Sequence, residues 1–242
     1  MDEVVNRARR SGVGVCLALH TTHWVRAHAY AFRAAKQGLV GICTTNGMPC
    51  MAIWGARGKV IGNNPLAIGL PRDQADAPIV LDMAMSQAAV GKVGTWLREG
   101  RTIPEGWGVD GDGNPTSDPK AILGGAVLPF GGHIGAGIAV MIELLTAALA
   151  GAAFGNEIEA GDPSGLDPGS SKLFLAIAPQ AFGGRQLFAS RVGEEILFAY
   201  CPQCIFGNNQ GASIPATRSS PRYEANLPTK WSTSLAPSLS PI

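Results

Sequence analysis

Two apolar runs, GVGVCLAL at Gly12–Leu19 and LVGICTT at Leu39–Thr45, bracket a stretch with a different rhythm. Between them Val25, Ala29, Phe32 and Ala35 or Lys36 recur at helical spacing, which predicts a helix over Trp24–Gln37 stopped by Gly38. The flanking runs read as buried strands. Strand, helix and strand within about thirty residues is the pattern of a β-α-β crossover, and it commits the chain to an α/β layout. The rest agrees. Asp2–Arg10 carries Val4, Val5 and Ala8 at helical spacing, and further strands are expected at Pro65–Leu70, Pro78–Ala84 and Lys172–Pro179. Helices are expected at Ser86–Glu99, weakened by Gly91 and Gly94, at a short segment from Ala121, and over Ile134–Ala153 after a Gly-rich turn.

With 242 residues the chain is long enough for a sizeable core. Its net charge of +1 provides no steering field, so neither nucleic acid nor a membrane surface is expected as a partner. The N-terminal region has no long apolar stretch with a small-residue cleavage site, so no secretory signal is read there. Residues 135–155 are long and apolar enough to suggest a membrane span, but Glu143 sits mid-segment and no aromatic or basic flanks bracket it; a buried helix is expected. Five cysteines, odd in number and unevenly spaced, point to a reduced, cytoplasmic setting. Cys201 and Cys204 have redox or zinc spacing but no second pair to complete a tetrahedral site. After about residue 200 the texture turns to Ser and Pro without apolar period, so residues 1–200 are read as a core and 201–242 as an atypical, disordered tail.

No G-x-x-x-x-G-K-[ST] is present, and neither GVGVCL nor GAGIAV completes G-x-G-x-x-G, so neither a P-loop nor a Rossmann site is predicted. The segment from Asp110 begins like a calcium loop but has Pro115 where glycine is required and Ala121 where the bidentate glutamate belongs. Three of the four histidines fall in LALHTTHWVRAHAY at Leu17–Tyr30. A zinc site would require three imidazoles to converge from a strand end and a first helical turn, so no metal is expected. His20 and His23, at the carboxyl end of a strand, are instead candidates for ligand contacts, and His28 reads as a surface residue. The turn PFGGHIGAG at Pro129–Gly137 is either an anion site at a helix N-terminus or a tight packed turn. Asp82 is either a helix cap or a ligand-facing acid.

The segments TTHWVRAHAYAFRAAKQGLVGICTTN, WGARGKVIGNNPLAIGLP, IVLDMAMSQAAVGKV, IPEGWGVDGDGNPTSDP and LPFGGHIGAGIAVMIELLTAALAGAAFG resemble, in order and spacing, the malate/L-lactate dehydrogenase-like oxidoreductases, over residues 1–185. That family includes sulfolactate and ureidoglycolate dehydrogenases, diketogulonate reductase and the piperideine- and pyrroline-2-carboxylate reductases. The resemblance implies an α/β fold, a mixed sheet with flanking helices, that binds NAD or NADP without a Rossmann motif, and it implies a homodimer. It places cofactor contacts on His23 and Trp24, on Asn63, Asn64 and Pro65, on Asp82, Met83 and Ala84, and on Gly132, His133 and Ile134. It makes His23 a catalytic candidate, as relay or substitute proton donor, together with Lys92, which lies where some members carry a catalytic aspartate. Two departures stand out. Members carry an earlier N-terminal segment with a Ser-His-Gly motif, which this chain lacks, and Ile134 stands where a lysine would grip the nucleotide. The family's late P-G-x-R loop is matched only by Pro215–Arg218.

The resulting expectation is an NAD(P)-dependent oxidoreductase moving a hydride between the nicotinamide and a small 2-hydroxy or 2-oxo acid of the malate, lactate or diketogulonate type. The alternatives are a reductase of a cyclic imino acid and a non-catalytic fragment of such a dehydrogenase. A zinc hydrolase built on the histidine cluster ranks last.

Overall fold

The structure, a computed structural model, describes residues 1–73, 78–158 and 169–198. The expected tail, 201–242, and the Cys201–Cys204 pair lie outside the described residues. Helix α1 (Asp2–Ser11) leads into strand β1 (Val13–Thr21), followed by α2 (Ala27–Lys36) and β2 (Val40–Thr45). Then come β3 (Leu66–Leu70), β4 (Ile79–Met83), α3 (Val90–Arg98), β5 (Gly108–Val109), α4 (Pro119–Gly124), β6 (Ala126–Val127), α5 (His133–Glu143), β7 (Ser170–Ile177) and α6 (Arg185–Phe198).

The main sheet runs β1-β7-β2-β3-β4, and every neighbouring pair is antiparallel. The crossover predicted from the first forty-five residues is therefore split: β1 and β2 run the same way, but β7 lies between them and pairs with both. A strand that arrives more than a hundred residues later leaves no local trace in the sequence.

The register explains the two faces, because successive side chains alternate across a strand. One face carries the rows Gly14–Ala176–Gly41–Gly69 and Cys16–Phe174–Cys43–Ala67–Asp82. Its small residues let α1 and α2 lie close: a Cβ on Gly14 would sit 2.1 Å from the Val4 carbonyl oxygen, and one on Gly69 would sit 2.4 Å from that of Ala31. Val4, Val5, Ala8, Ala27, Ala31 and Ala34 close this core from the helix side. The other face is aliphatic and only half-covered.

A second core gathers Met51, Ile61, Met85, Val93, Ile122, Val127 and Ile142 around α3, α4 and α5. Helix α4 starts earlier than the sequence suggested, since Asp118 accepts a bond from the Lys120 N–H (2.9 Å) and Pro119 occupies its first position. Helix α3 starts later, at Val90, because Ser86 is taken up in a β-bridge with Pro129. The long apolar helix stops being α-helical at Glu143 and continues as one wider π-type turn over Leu144–Ala148. Among the described residues no helix is long and apolar enough to cross a membrane. Helix α6 was not predicted; its apolar residues form no stripe.

Candidate active site

Between the two cores lies a cleft of about 590 Å³. His23, Trp24, Thr45, Ser170 and Lys172 line it from the sheet side, and Cys50, Val90, Ile122 and Val127 from the second core. The Asn46–Pro49 loop, Asn63 and Pro65 complete the wall with Lys59 near the rim.

His23 reaches this cleft because β1 ends irregularly. Its register with β7 slips between Ala18 and Thr21, a bulge at which His20 takes φ 49°. The chain then turns at Val25, where φ is 66° although the residue is β-branched and exposed. That strained turn is closed by the Val25 N–H donating to His23 Nδ1 (3.1 Å). With Nδ1 accepting, the neutral ring carries its proton on Nε2.

Next to it, Trp24 is a core residue as well as a wall. It stacks on Tyr30 (5.4 Å between centroids) and meets Phe174 edge-on (6.0 Å). Lys172 lies beside it, 5.8 Å from the indole ring and only 4% exposed. Its ammonium donates to the Thr21 hydroxyl, the Thr22 carbonyl (2.8 Å) and the Ser170 hydroxyl (3.0 Å), so the strand end that delivers His23 is tied to β7. Among the described lining residues the charged side chains are both lysines, and no carboxylate faces the cleft. Such a lining favours anionic groups.

Of the residues marked from the sequence, His23, Trp24, Asn63 and Pro65 meet in this cleft. The others lie elsewhere. Asn64, directly between two lining residues, points the other way: it is fully buried and donates to the Ala139 carbonyl (2.9 Å) and the Glu143 carboxylate (2.8 Å). Asp82 accepts from the His28 N–H (2.9 Å), which makes it a cap for α2 supplied from across the sheet, where Arg26 provides none. Met83 packs against the second core, and Ala84 follows it out of β4. At the start of α5, Gly132 has φ 60° and packs so closely on Trp54 that a Cβ would sit 2.4 Å from the ring. His133 meets the same indole edge-on (6.2 Å), and Ile134 is half-exposed. Lys92 is exposed, with its ammonium 5.2 Å from the ring of Trp96 and 5.6 Å from that of Trp107, and it does not line the cleft. His20 and His28 do not line it either; His28 stacks on Phe32 (5.6 Å).

Sequence reasoning missed Lys172, Lys59, Cys50, Thr45 and Asn46. A signal existed for Lys172, a lone cation inside the apolar strand SSKLFLAI, where lysine is rarely buried without purpose. Burial pushes the Cys50 thiol up to about 11, so it stands in the wall as a protonated, weakly reactive group.

Comparison with known proteins fits this geometry. The chain is 43% identical over 198 residues to the Δ1-pyrroline-2-carboxylate/Δ1-piperideine-2-carboxylate reductase of Pseudomonas putida, covering 79% of this chain and 56% of that protein. The crystal structure of Δ1-piperideine-2-carboxylate reductase from Pseudomonas syringae pv. tomato matches with a TM-score of 0.75 at 38% identity, over 82% of this chain and 60% of that one. Sulfolactate dehydrogenase from Methanocaldococcus jannaschii matches with a TM-score of 0.73 at 36% identity, over 88% of this chain and 59% of that one. The chain thus spans 56–60% of the length of these relatives. With a non-Rossmann antiparallel α/β sheet, a histidine-tryptophan pair in the cleft and a match of residues 1–203 to the family model, the chain belongs to the malate/L-lactate dehydrogenase family.

Proposed function

We propose that this chain forms, over residues 1–200, the core of an NAD(P)-dependent oxidoreductase that reduces a small 2-oxo acid to the 2-hydroxy acid or runs the reverse reaction. The cleft supports this reading: a histidine with a fixed Nε2 proton stands in a pocket whose charged side chains, among the described residues, are cationic. A nicotinamide nucleotide supplies the hydride when bound. The residues present fit its anionic groups and those of a carboxylate substrate through Lys59 and Asn63, with Lys172, whose ammonium is bonded to Thr21, Thr22 and Ser170, adding positive charge, and Gly91 leaves open space at the rim where a Cβ would touch nothing. At α5 the fit is weaker, since Ile134 supplies no cation.

The chain's own part is to surround the substrate with Trp24 and the second core, to orient the acid by its carboxylate, and to donate a hydrogen bond from the neutral His23 Nε2–H that polarises the carbonyl and stabilises the developing alkoxide, whose proton comes from water at the open rim. A second reading, reduction of a cyclic imino acid, has a specific support: the two piperideine-type reductases above match at 43% and 38% identity. The cleft chemistry is the same, with the His23 Nε2–H directed at nitrogen in place of oxygen. Assembly as a homodimer in a reducing, cytoplasmic setting, without nucleic acid or membrane, completes the proposal; the thiols of Cys16, Cys43 and Cys50 are free.

The test is His23→Ala. Turnover of a 2-oxo acid or a cyclic imine with NADH or NADPH is expected to fall about 10²-fold in kcat, with nucleotide binding retained. Near-normal turnover would remove His23 from the chemistry, and no saturable nucleotide binding by the parent chain would remove the dehydrogenase reading.

A further inference from the structure

Glu143, which argues in the sequence against a membrane span, is the one carboxylate buried in the second core's wall among the described residues, at 7% exposure. Burying a carboxylate is costly unless hydrogen bonds replace its water. Here three donors do so: Asn64 Nδ2 to Oε2 (2.8 Å), Asn46 Nδ2 to Oε1 (3.2 Å) and the Gly155 N–H to Oε1 (2.5 Å).

The donors cannot turn away. Asn46 Oδ1 is held by the Ser171 N–H (2.7 Å) and its amide nitrogen also donates to the Ala153 carbonyl (3.0 Å). Asn64 Nδ2 is shared with the Ala139 carbonyl (2.9 Å). Every group facing Glu143 donates, so only an acceptor on both oxygens satisfies the site. A glutamine would set an NH₂ against a donor.

The two asparagines belong to two different stretches of the cleft wall. Asn46 and its neighbours Thr45 and Gly47 line the cleft, and Asn64 lies between Asn63 and Pro65, which line it as well. Gly47 is clamped from two sides: its carbonyl oxygen would be 2.5 Å from a Cβ on Gly62 and 2.6 Å from one on Gly155. Asn64 itself takes φ 30°, a conformation its side-chain bonds must hold. Glu143 does not line the cleft. We infer that it is a positioning residue, whose buried carboxylate fixes both wall stretches in their binding geometry. The inference rests on the oxidoreductase reading only where it concerns ligand affinity.

Two readouts of Glu143→Gln test it. Amide hydrogen exchange is expected to speed up at least about tenfold at 45–47, 63–65 and Gly155, while the α1 and α2 amides keep their rates. The Kd for NADH or NADPH is expected to rise about tenfold. A merely structural role would lower the unfolding midpoint and raise exchange throughout, with Kd unchanged; that pattern, or no change at all, overturns the inference. If the parent chain binds neither nucleotide, the oxidoreductase reading fails, and the exchange pattern alone still decides the role of Glu143. Should Glu143→Gln not fold, Asn46→Ser leaves the carboxylate on Asn64 and Gly155: loosening confined to 45–47 supports the inference, and loosening spread through the sheet overturns it.

Discussion

Cys43 belongs to the core under α1 and α2, Cys50 packs against the second core and lines the cleft, and burial acts on both. Desolvation raises the Cys43 thiol to about 12, helped by the charge of Asp82, and raises Cys50 to about 11. The sign of the effect on stability follows from linkage. Below the ordinary thiol value of 9.0 both folded and unfolded chains hold the proton, and stability does not depend on these groups. As pH rises past 9.0 the unfolded chain releases its protons first, so stability falls by up to about 1.4 kcal/mol per pH unit for each thiol, until the folded thiol also ionises. Cys50→Ala should therefore flatten the alkaline limb of a denaturant-midpoint-against-pH curve between 9.0 and about 11. An unaltered slope would mean that Cys50 is not the buried acid described. At this scale the sequence was legible for the placement of His23 and Trp24 together in the cleft, where motif and strand end coincide. It was not legible at Asn64, whose side chain points away from the cleft that its two neighbours line. Nor was it at Asp82, where the two readings of a strand-end acid could be separated only by finding the His28 amide across the sheet.

Glycine does opposite work in strands and in α3, and that difference is an element property. Gly69 in β3 exists because α2 crosses directly above it: a Cβ would press to 2.4 Å from the Ala31 carbonyl oxygen and 2.7 Å from its carbon, both backbone. Gly94 in α3 has open surroundings, with Arg98 Nη1 at 3.7 Å as the nearest contact. Gly69→Ala should thus lower stability by about 1–3 kcal/mol through overpacking. Gly94→Ala should raise it by about 0.5–1 kcal/mol, because alanine loses less entropy in a helix interior. Chemical denaturation of the pair checks both signs, and equal effects would refute the close seat of α2. Because α2 follows the His23–Val25 turn directly, Gly69→Ala should also weaken nucleotide binding. Elements with a strong local period, α1, β2, β3 and β4, could be read within a residue or two. The start of α2 could not, since the Val25 turn and the distant Asp82 cap set it. The place of β7 could not either, because strand order is decided by non-local pairing.

On the scale of the molecule, the sheet is covered unequally. One face is sealed by α1 and α2, whereas the other presents aliphatic rows, Val13–Ile177–Val40 and Val15–Leu175–Ile42–Ile68–Leu81, that remain half-exposed. The imbalance is greatest at β1, an edge strand of nine residues, VGVCLALHT, with no proline, lysine or carboxylate. Its Val13, Val15 and Leu19 are 41%, 46% and 42% exposed. Edge strands in isolated proteins are blunted by such residues, and β1 has none of them. The other edge, β4, carries Asp82. Were two copies to meet as the proposed homodimer, β1, an edge among the described residues, is where antiparallel pairing about a twofold axis would join the two sheets and set the Val13, Val15 and Leu19 rows side by side. Val15→Lys puts a charge in the middle of that edge while leaving the helix-covered face and the cleft untouched. Light scattering across a concentration series should show a dimer for the parent chain and a shift of at least about tenfold in the dissociation constant for Val15→Lys, a lysine on each edge strand disfavouring edge-to-edge pairing. A parent chain that stays monomeric over the whole series, or a variant that dimerises as well as the parent, would show that β1 is not the surface through which two copies meet.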